Sequence, residues 1–380
     1  MGFKIGWLTW EQRKLGEMAN VTKLAGFEFT KYVNYSKEGK IIALRGLNVK
    51  NGELNLEDVK YIDNSDFSKL NRSKLYKNDI LFTYVGTVGQ LAIINQDNKY
   101  YLAPNVSRIR IQDTNNPNFI AQEMSSKSFY NRRIFPLIAT SSQPALSMKS
   151  IRKFIISITS IEEQDLIASL FQRINLTIAL QQRKLDQLNT LKKGLLQKMF
   201  ADKKHPKPEL RFKGFSDDWE QCKFEQILIS HPYKKYLASP STNGKYKVIQ
   251  QGDNPVVGWA SGNPFMQYEG ATLFGDHTLS LYKPTAPFFV ATDGLKILTG
   301  KNIKGYYLFT LLEKNKPKSQ GYKRHFNILK NEKVVITKNP EEQQQMGCLF
   351  KQVDKTITLQ QSKLDKLNSL KKSLLQNMFI

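Results

Sequence analysis

The segment Glu162-Glu163-Gln164 … Leu170-Phe171 … Leu180-Gln181-Gln182-Arg183-Lys184-Leu185-Asp186-Gln187-Leu188-Asn189 … Leu191-Lys192-Lys193-Gly194-Leu195-Leu196-Gln197-Lys198-Met199-Phe200 decides the fold, because it occurs twice. The second copy reads Glu341-Glu342-Gln343 … Leu349-Phe350 … Leu359-Gln360-Gln361-Ser362-Lys363-Leu364-Asp365-Lys366-Leu367-Asn368 … Leu370-Lys371-Lys372-Ser373-Leu374-Leu375-Gln376-Asn377-Met378-Phe379. Over residues 162–200, 23 of the 39 positions are identical in the second copy. The copies lie 179 residues apart, too far for a solenoid and suited to one globular domain plus one helix.

Both copies carry apolar residues at heptad spacing. Phe171, Ile178, Leu185 and Met199 take one core position, and Ile174, Leu188 and Leu195 the other. Phe350, Ile357, Leu364 and Met378, with Val353, Leu367 and Leu374, repeat that register. Gln181/Gln360 and Lys192/Lys371 are polar intrusions at matching points of the seam, where such residues fix register at some cost in stability. Each helix would run to about 58 Å at about 1.5 Å per residue, too long to be an internal helix of one globule. Neither can bury its stripe alone, so the two are expected to pack on each other. The intervening domain permits either direction of pairing.

A weaker repeat sets Trp10-Glu11-Gln12-Arg13-Lys14-Leu15 against Trp219-Glu220-Gln221-Cys222-Lys223-Phe224. The second copy follows a turn-rich linker, Ala201–Phe215. The order is globule, helix, linker, globule, helix, which admits a pseudo-twofold arrangement.

Between these landmarks, short β-branched and aromatic runs are bounded by turn residues. In the first globule they are Ile41–Arg45, Asp79–Val85, Gln90–Ile94 and Val106–Ile111, then a helix over Asn118–Ile134 and a strand over Phe154–Ile158. In the second, Lys245–Gln250, Thr272–Phe274, Leu279–Tyr282 and Phe288–Ala291 read as strands, Lys304–Glu313 as a helix and Lys333–Thr337 as a closing strand. Each unit is α+β with a mixed sheet.

Charge points to the partner. Lys and Arg number 57 against 33 Asp and Glu, a formal charge of +24. The surplus is spread over both halves, which favours a polyphosphate such as nucleic acid over a charged tail. No window approaches the roughly 18 to 20 apolar residues of a membrane helix, no secretory apolar core follows Met1, and a cytoplasmic location is expected. Cys222 and Cys348 alone make neither a disulfide framework nor a thiolate metal site, and the four histidines are scattered, so no metal site is expected. No glycine loop fits nucleotide-binding spacing, and no methyltransferase, nuclease or hydrolase signature appears. Asp276-His277 and His325 are read as structural rather than acid–base groups.

Two corresponding loops, Thr140–Leu146 and Gln320–Phe326, each precede the last strand of their unit and offer side chains able to meet base edges or phosphates. The DNA-contact candidates in the first globule are Arg45, Tyr84, Thr87, Arg108, Arg132, Arg133 and Gln143. Those in the second are Lys247, Gln250, Trp259, His277, Gln320, Lys323 and Arg324. The heptad residues Phe171, Ile174, Ile178, Leu185, Leu188 and Leu195, with Phe350, Val353, Ile357, Leu364, Leu367 and Leu374, are candidates for the spacer and for partner docking. No residue is expected to be catalytic.

The duplicated helices, the linker Pro208-Glu209-Leu210-Arg211-Phe212-Lys213-Gly214-Phe215 … Trp219-Glu220, and Asp79-Ile80-Leu81-Phe82-Thr83 resemble the specificity subunits of type I restriction-modification systems. The resemblance covers the whole layout. It implies two target-recognition domains, each reading one half of a bipartite asymmetric site in double-stranded DNA. It also implies an antiparallel coiled coil that sets the gap between half-sites and docks two modification subunits. Those subunits would methylate adenine N6 with S-adenosylmethionine, and restriction subunits would use ATP and Mg; this chain would bind no cofactor. The domains implied are 1–160 and 204–340 (the latter with its linker) as recognition domains, with 161–203 and 341–380 as spacer helices. The short, divergent Met1–Thr9 departs from the family, which often begins with a copy of the linker segment. Two rivals are an architectural nucleic-acid binder with a coiled-coil dimerisation arm, and a fused methyltransferase or nuclease whose motifs have drifted.

Overall fold

The computed structural model describes residues 10–50, 52–112, 114–138, 143–202, 205–321 and 323–379. Met1–Thr9, the Thr140-Ser141-Ser142 part of the first loop, Lys203 and Lys204 of the linker, and Tyr322 of the second loop lie outside the described residues.

The duplicated segments form two long helices, a central one over Ile161–Lys198 and a C-terminal one over Pro340–Met378. The chain forms two compact units. Unit 1 is Met1–Leu180 with Leu364–Ile380, and unit 2 is Gln181–Lys363. Each long helix thus belongs by one end to one unit and by the other end to the second.

The two units share a topology. In unit 1 an antiparallel sheet runs Ala19–Lys23, Val106–Ile111, Ile80–Thr83, Leu91–Ile93. A three-stranded sheet pairs Ile42–Leu44 parallel to Tyr100–Leu102 and antiparallel to Lys60–Tyr61. In unit 2 the corresponding strands are Leu228–His231, Leu295–Gly300, Thr272–Gly275 and Leu281–Tyr282. Its second sheet pairs Tyr246–Ile249 parallel to Phe288–Val290 and antiparallel to Val256–Ala260. The Trp-Glu-Gln repeats are edge strands. Glu11–Lys14 pairs with the closing strand Ile155–Ile158, and Glu220–Lys223 with Lys333–Ile336.

Two local expectations change. The helix read over Asn118–Ile134 is broken: Pro117–Met124 ends at Ser125, and Ser126 caps a new turn by accepting from the Phe129 N–H at 3.0 Å. Adjacent serines stop the helix because their hydroxyls compete for backbone groups. Ala19–Lys23 and Leu295–Gly300 escape the sequence reading, although each pairs within its main sheet. Asn20 and Lys23, and Lys296, Thr299 and Gly300, interrupt the apolar alternation that would mark them.

Inside each unit the long helices pair antiparallel through the same aromatic cluster. In unit 1 Phe379, from the end of the C-terminal helix, stacks near Phe171, Phe119 and Trp10 at ring separations of 6.1, 5.4 and 5.9 Å. In unit 2 Phe200, just past the end of the central helix, meets Phe350, Tyr307 and Trp219 at 5.8, 5.8 and 6.1 Å. Phe171 is the equivalent of Phe350 and Phe200 of Phe379, so each unit makes the other's contact with the helices exchanged. The heptad positions follow: Phe171, Ile174, Leu185, Phe350 and Leu364 are buried, and Ile178, Leu188, Leu195, Val353, Ile357, Leu367 and Leu374 half-buried. Each fully buried side chain of this set stabilises the pair by roughly 1.5–3 kcal/mol, and each half-buried one by less.

The Glu-Glu-Gln shared by the two copies has a mechanical explanation. Gln164 accepts from the Asn116 backbone N–H at 2.9 Å and donates to the Thr159 carbonyl at 2.8 Å. Gln343 does the same with Lys304 N–H at 3.0 Å and the Thr337 carbonyl at 2.9 Å. Both amides are 1% exposed and tie the long helix to the first turn of a globule helix and the end of its closing strand. In unit 2 Glu342 adds a bidentate pair with Arg211 of the linker, at 2.6 and 2.9 Å. Glu163, the equivalent in unit 1, is instead bonded by the Thr159 hydroxyl and pairs with no arginine among the described residues.

Candidate nucleic-acid interface

In each unit three segments converge: the end of the parallel-paired strand, the turn after the central hairpin strand, and the loop before the closing strand. In unit 1 these are Arg45–Leu47, Val85–Thr87 and Gln143–Pro144. The Gly86 N–H donates to the Pro144 carbonyl at 2.9 Å and the Leu146 N–H to the Tyr84 carbonyl at 2.8 Å, so loop and turn are stitched together. Gly86 sits at φ 79°, where a side chain would be strained, and lets the turn stay tight beneath the loop. A cleft of about 460 Å³ opens between them, lined by Arg45, Thr87, Gln143, Asn105, Phe29 and Tyr35 among others. Arg45 is held in place by the Asp58 carbonyl at 2.8 Å and carboxylate at 3.0 Å. Exposed Tyr35 and Leu47, with Phe29, surround the polar groups with apolar and aromatic surface. Sequence reading passed over these residues because isolated surface aromatics carry no periodic signal.

The other unit 1 candidates are placed apart from this cleft or inside the globule. Arg108 is 7% exposed. Its guanidinium donates to the carbonyls of Arg72 and Lys74 and to Asn20, so it braces the sheet from within. Burial pushes the Tyr84 hydroxyl above its ordinary range. Arg132 and Arg133 sit on a different face, beside buried Glu123.

In unit 2 the same three segments are joined by more polar bonds. The His325 N–H donates to the Asp276 carbonyl at 2.7 Å, and the Phe326 N–H to the Asp276 carboxylate at 2.8 Å. The His325 ring is fully buried: Nε2 accepts from the Gln320 N–H at 3.1 Å, and Nδ1 lies 3.1 Å from the Asp276 carbonyl. A nitrogen that accepts is unprotonated, so Nδ1–H is the donor and the ring is neutral. Asp276 and His325 therefore act as pins that hold the Gln320–Arg324 loop against the turn, in keeping with a structural reading of both. His277 is tied by its N–H to Gln251 Oε1 at 3.1 Å, beside Gln250. Arg324 is exposed and reaches Asp293 at 3.4 Å, leaving most of its donors to solvent. Lys247 and Trp259 are register partners on neighbouring strands, so a basic and an aromatic side chain share one exposed face.

Exposed cations, amide side chains and aromatics on rigid loop platforms are what base-edge and phosphate contacts require. Among the described residues no group of three or more His, Cys, Asp or Glu could hold a metal ion, and no helix is long and apolar enough to cross a membrane.

Comparison with known proteins agrees with this architecture. Residues 8–190, just under half of the chain, match the type I restriction modification DNA specificity domain. The chain is 21% identical over 411 residues to the putative type I restriction enzyme MjaX specificity subunit of Methanocaldococcus jannaschii, covering 96% of this chain and 92% of that protein. It is 30% identical over 128 residues to the EcoKI specificity subunit of Escherichia coli K12, covering 32% of this chain and 27% of that one. The crystal structure of the type I restriction-modification S subunit from M. genitalium shares its fold, with a TM-score of 0.71 at 16% identity over 100% of this chain and 98% of that one. With the duplicated helices and twin globules already in view, residues 8–190 carry the type I restriction modification DNA specificity domain, and the chain as a whole is similar in sequence and fold to specificity subunits of type I restriction-modification systems.

Proposed function

We propose that this chain chooses the DNA sequence on which a type I restriction-modification complex acts, each unit reading one half of a bipartite site. The observation that carries this reading is the recurrence, in both units, of the same three converging segments with different side chains. A shared scaffold with unlike reading surfaces suits an asymmetric pair of half-sites. Base-edge contacts from Gln143 and Arg45 in one unit, and from Gln320, Lys323 and Arg324 in the other, would supply the choice, while other lysines and arginines hold phosphates.

The helix pair would fix the gap between half-sites and dock two modification subunits. Adenine N6 lies inside the duplex, so a methyltransferase must extrude the base while a separate element selects the site. In this reading those partners bring S-adenosylmethionine, restriction subunits bring ATP and Mg, and this chain recognises without catalysing.

Methylation-aware sequencing of DNA from cells expressing the chain with its modification subunits tests the proposal. Methylated adenines should fall in one split motif of constant gap. Deleting one heptad from both helices should change the gap and neither half-site. Binding without half-site preference would favour an architectural role, and methyl transfer by the chain alone would overturn the non-catalytic reading.

A further inference from the structure

The duplication supplies an internal control for the half-buried lysines of the seam. In unit 2 Lys192 is neutralised within the chain: its amine lies 2.7 Å from Glu313 and 2.7 Å from Asp354. These charges hold its titration above the ordinary lysine range despite burial. Lys371 is the same helix position in unit 1, and both of its counter-charges are gone. Asn175 stands where the helix repeat places Asp354. Counted along the globule helices from the N–H each glutamine holds, Asn116 and Lys304, Ser125 stands where unit 2 has Glu313.

Lys371 makes no ion pair among the described residues, and burial pushes its amine below the ordinary range, with Glu53 opposing that shift without overcoming it. It lines a pocket of about 280 Å³ with Glu53, Gln90, Gln122, Ser125 and Asn175. That volume is at the small end for ligand pockets, suited to one inserted side chain rather than to a nucleotide cofactor. The amide side chains offer donors and acceptors around a single cation. A half-desolvated cation set among such groups is complementary to one carboxylate. One inserted carboxylate would share the cation with Glu53, as Glu313 and Asp354 share Lys192, whereas the continuous anionic backbone of DNA would meet the Glu53 carboxylate with further uncompensated charge.

We infer that the pocket around Lys371 receives an aspartate or glutamate side chain from a partner protein docked on unit 1. This rests on the reading that modification subunits bind the helices, and it adds that the two halves do not offer them the same contact. Unit 2 has satisfied its lysine internally, whereas unit 1 completes its own only on assembly.

The test uses the full chain and its modification subunit, with binding followed by calorimetry and stoichiometry by sedimentation. Lys371→Gln removes the cation. Asn175→Asp supplies the carboxylate that Asp354 provides in unit 2 and should compete with the partner's. Each variant should weaken one of two binding events about tenfold or more, with the other unchanged. Asn175→Asp should also raise the melting temperature of the free chain. If both variants fold and bind within twofold of the parent, the inference fails while the docking proposal stands. If Asn175→Asp does not fold, Lys371→Gln decides alone. If the parent chain captures no modification subunit, the docking proposal falls and this inference with it.

Discussion

Gln360 donates from Nε2 to the main-chain oxygen of Gln181 at 3.0 Å and to its side-chain oxygen. The two residues are one position of the duplicated helix, so this contact pairs the repeat with itself. A self-pairing position occurs once in an antiparallel pair and marks the midpoint of the register. Polar groups there cost stability relative to leucine but penalise any slip, since a shifted register would leave a buried amide unsatisfied.

Gln360→Leu alone should therefore destabilise the chain by about 1–2 kcal/mol, because Gln181 loses its donor. Gln181→Leu with Gln360→Leu should cost less than the sum of the single changes, and even stabilise. Chemical denaturation of the two single variants and the double variant completes the cycle. Additive losses would remove the claim that the two amides act as a pair.

Arg211 and Glu342 explain why two separate sequence signals belong together. The linker arginine and the second glutamate of the helix motif form a bidentate pair with side-chain exposures of 14% and 1%. Removing one partner strands the other in a dry site, so Glu342→Ala and Arg211→Ala should each cost about 3 kcal/mol. The equivalent Glu163 bonds to a hydroxyl instead, and Glu163→Ala should cost about 1 kcal/mol. Thermal unfolding of the three variants checks the ranking.

The layout was legible because its signals are periodic. Identity at fixed offset revealed the helix duplication, and heptad spacing gave the seam, which is set by residues such as Phe171 and Phe350 recurring at the same phase. The linear sequence could not reveal that Phe379 completes the core beside Trp10, because that contact depends on antiparallel pairing that brings remote chain ends together. Reading-surface residues were less accessible. Arg45 and Arg108 are both arginines in or beside strands, yet one lines a cleft and the other braces a sheet, and only the pairing partners Asp58 and Asn20 distinguish them. The pins Asp276 and His325 carry no motif either; their role comes from two loops meeting in space.

Lys192 and Lys371 predict unlike consequences for one chemical change. Lys192→Met strands Glu313 and Asp354 and should destabilise unit 2 by about 2–3 kcal/mol. Lys371→Met removes a half-buried cation with no ion pair among the described residues and should be neutral or slightly stabilising. Equal losses in urea titrations of the two variants would contradict the difference between the halves.

The pinning of the second loop by His325 predicts a local effect on recognition. Deleting the ring removes the acceptor for the Gln320 N–H and the Nδ1 contact to the Asp276 carbonyl, which loosens the Gln320 end of the loop while the main-chain bonds of His325 and Phe326 to Asp276 remain. His325→Ala should relax sequence preference at one half-site only, leaving the other half-site and the gap unchanged. Sequencing of methylated sites from cells carrying the variant reads all three at once. A change at both half-sites would show that the loop serves overall folding rather than one reading surface.

Glu123 gives the pH dependence. It is 5% exposed and accepts from the Ser157 N–H at 2.8 Å, and burial pushes its carboxyl up to about 7, only partly offset by that bond. A carboxyl whose folded value lies above its unfolded one binds protons more readily when folded. Its contribution is therefore complete below the ordinary glutamate range and is lost as pH rises through about 7. The parent chain should lose about 1–3 kcal/mol of stability between pH 5 and pH 8 from this group. Glu123→Gln keeps a carbonyl to accept from Ser157 but cannot ionise, so its stability should vary less over that interval. Urea unfolding of both chains at four pH values across the range measures the difference. If the two curves run parallel, Glu123 does not titrate there, and the closing strand of unit 1 is held by an ionised carboxylate instead.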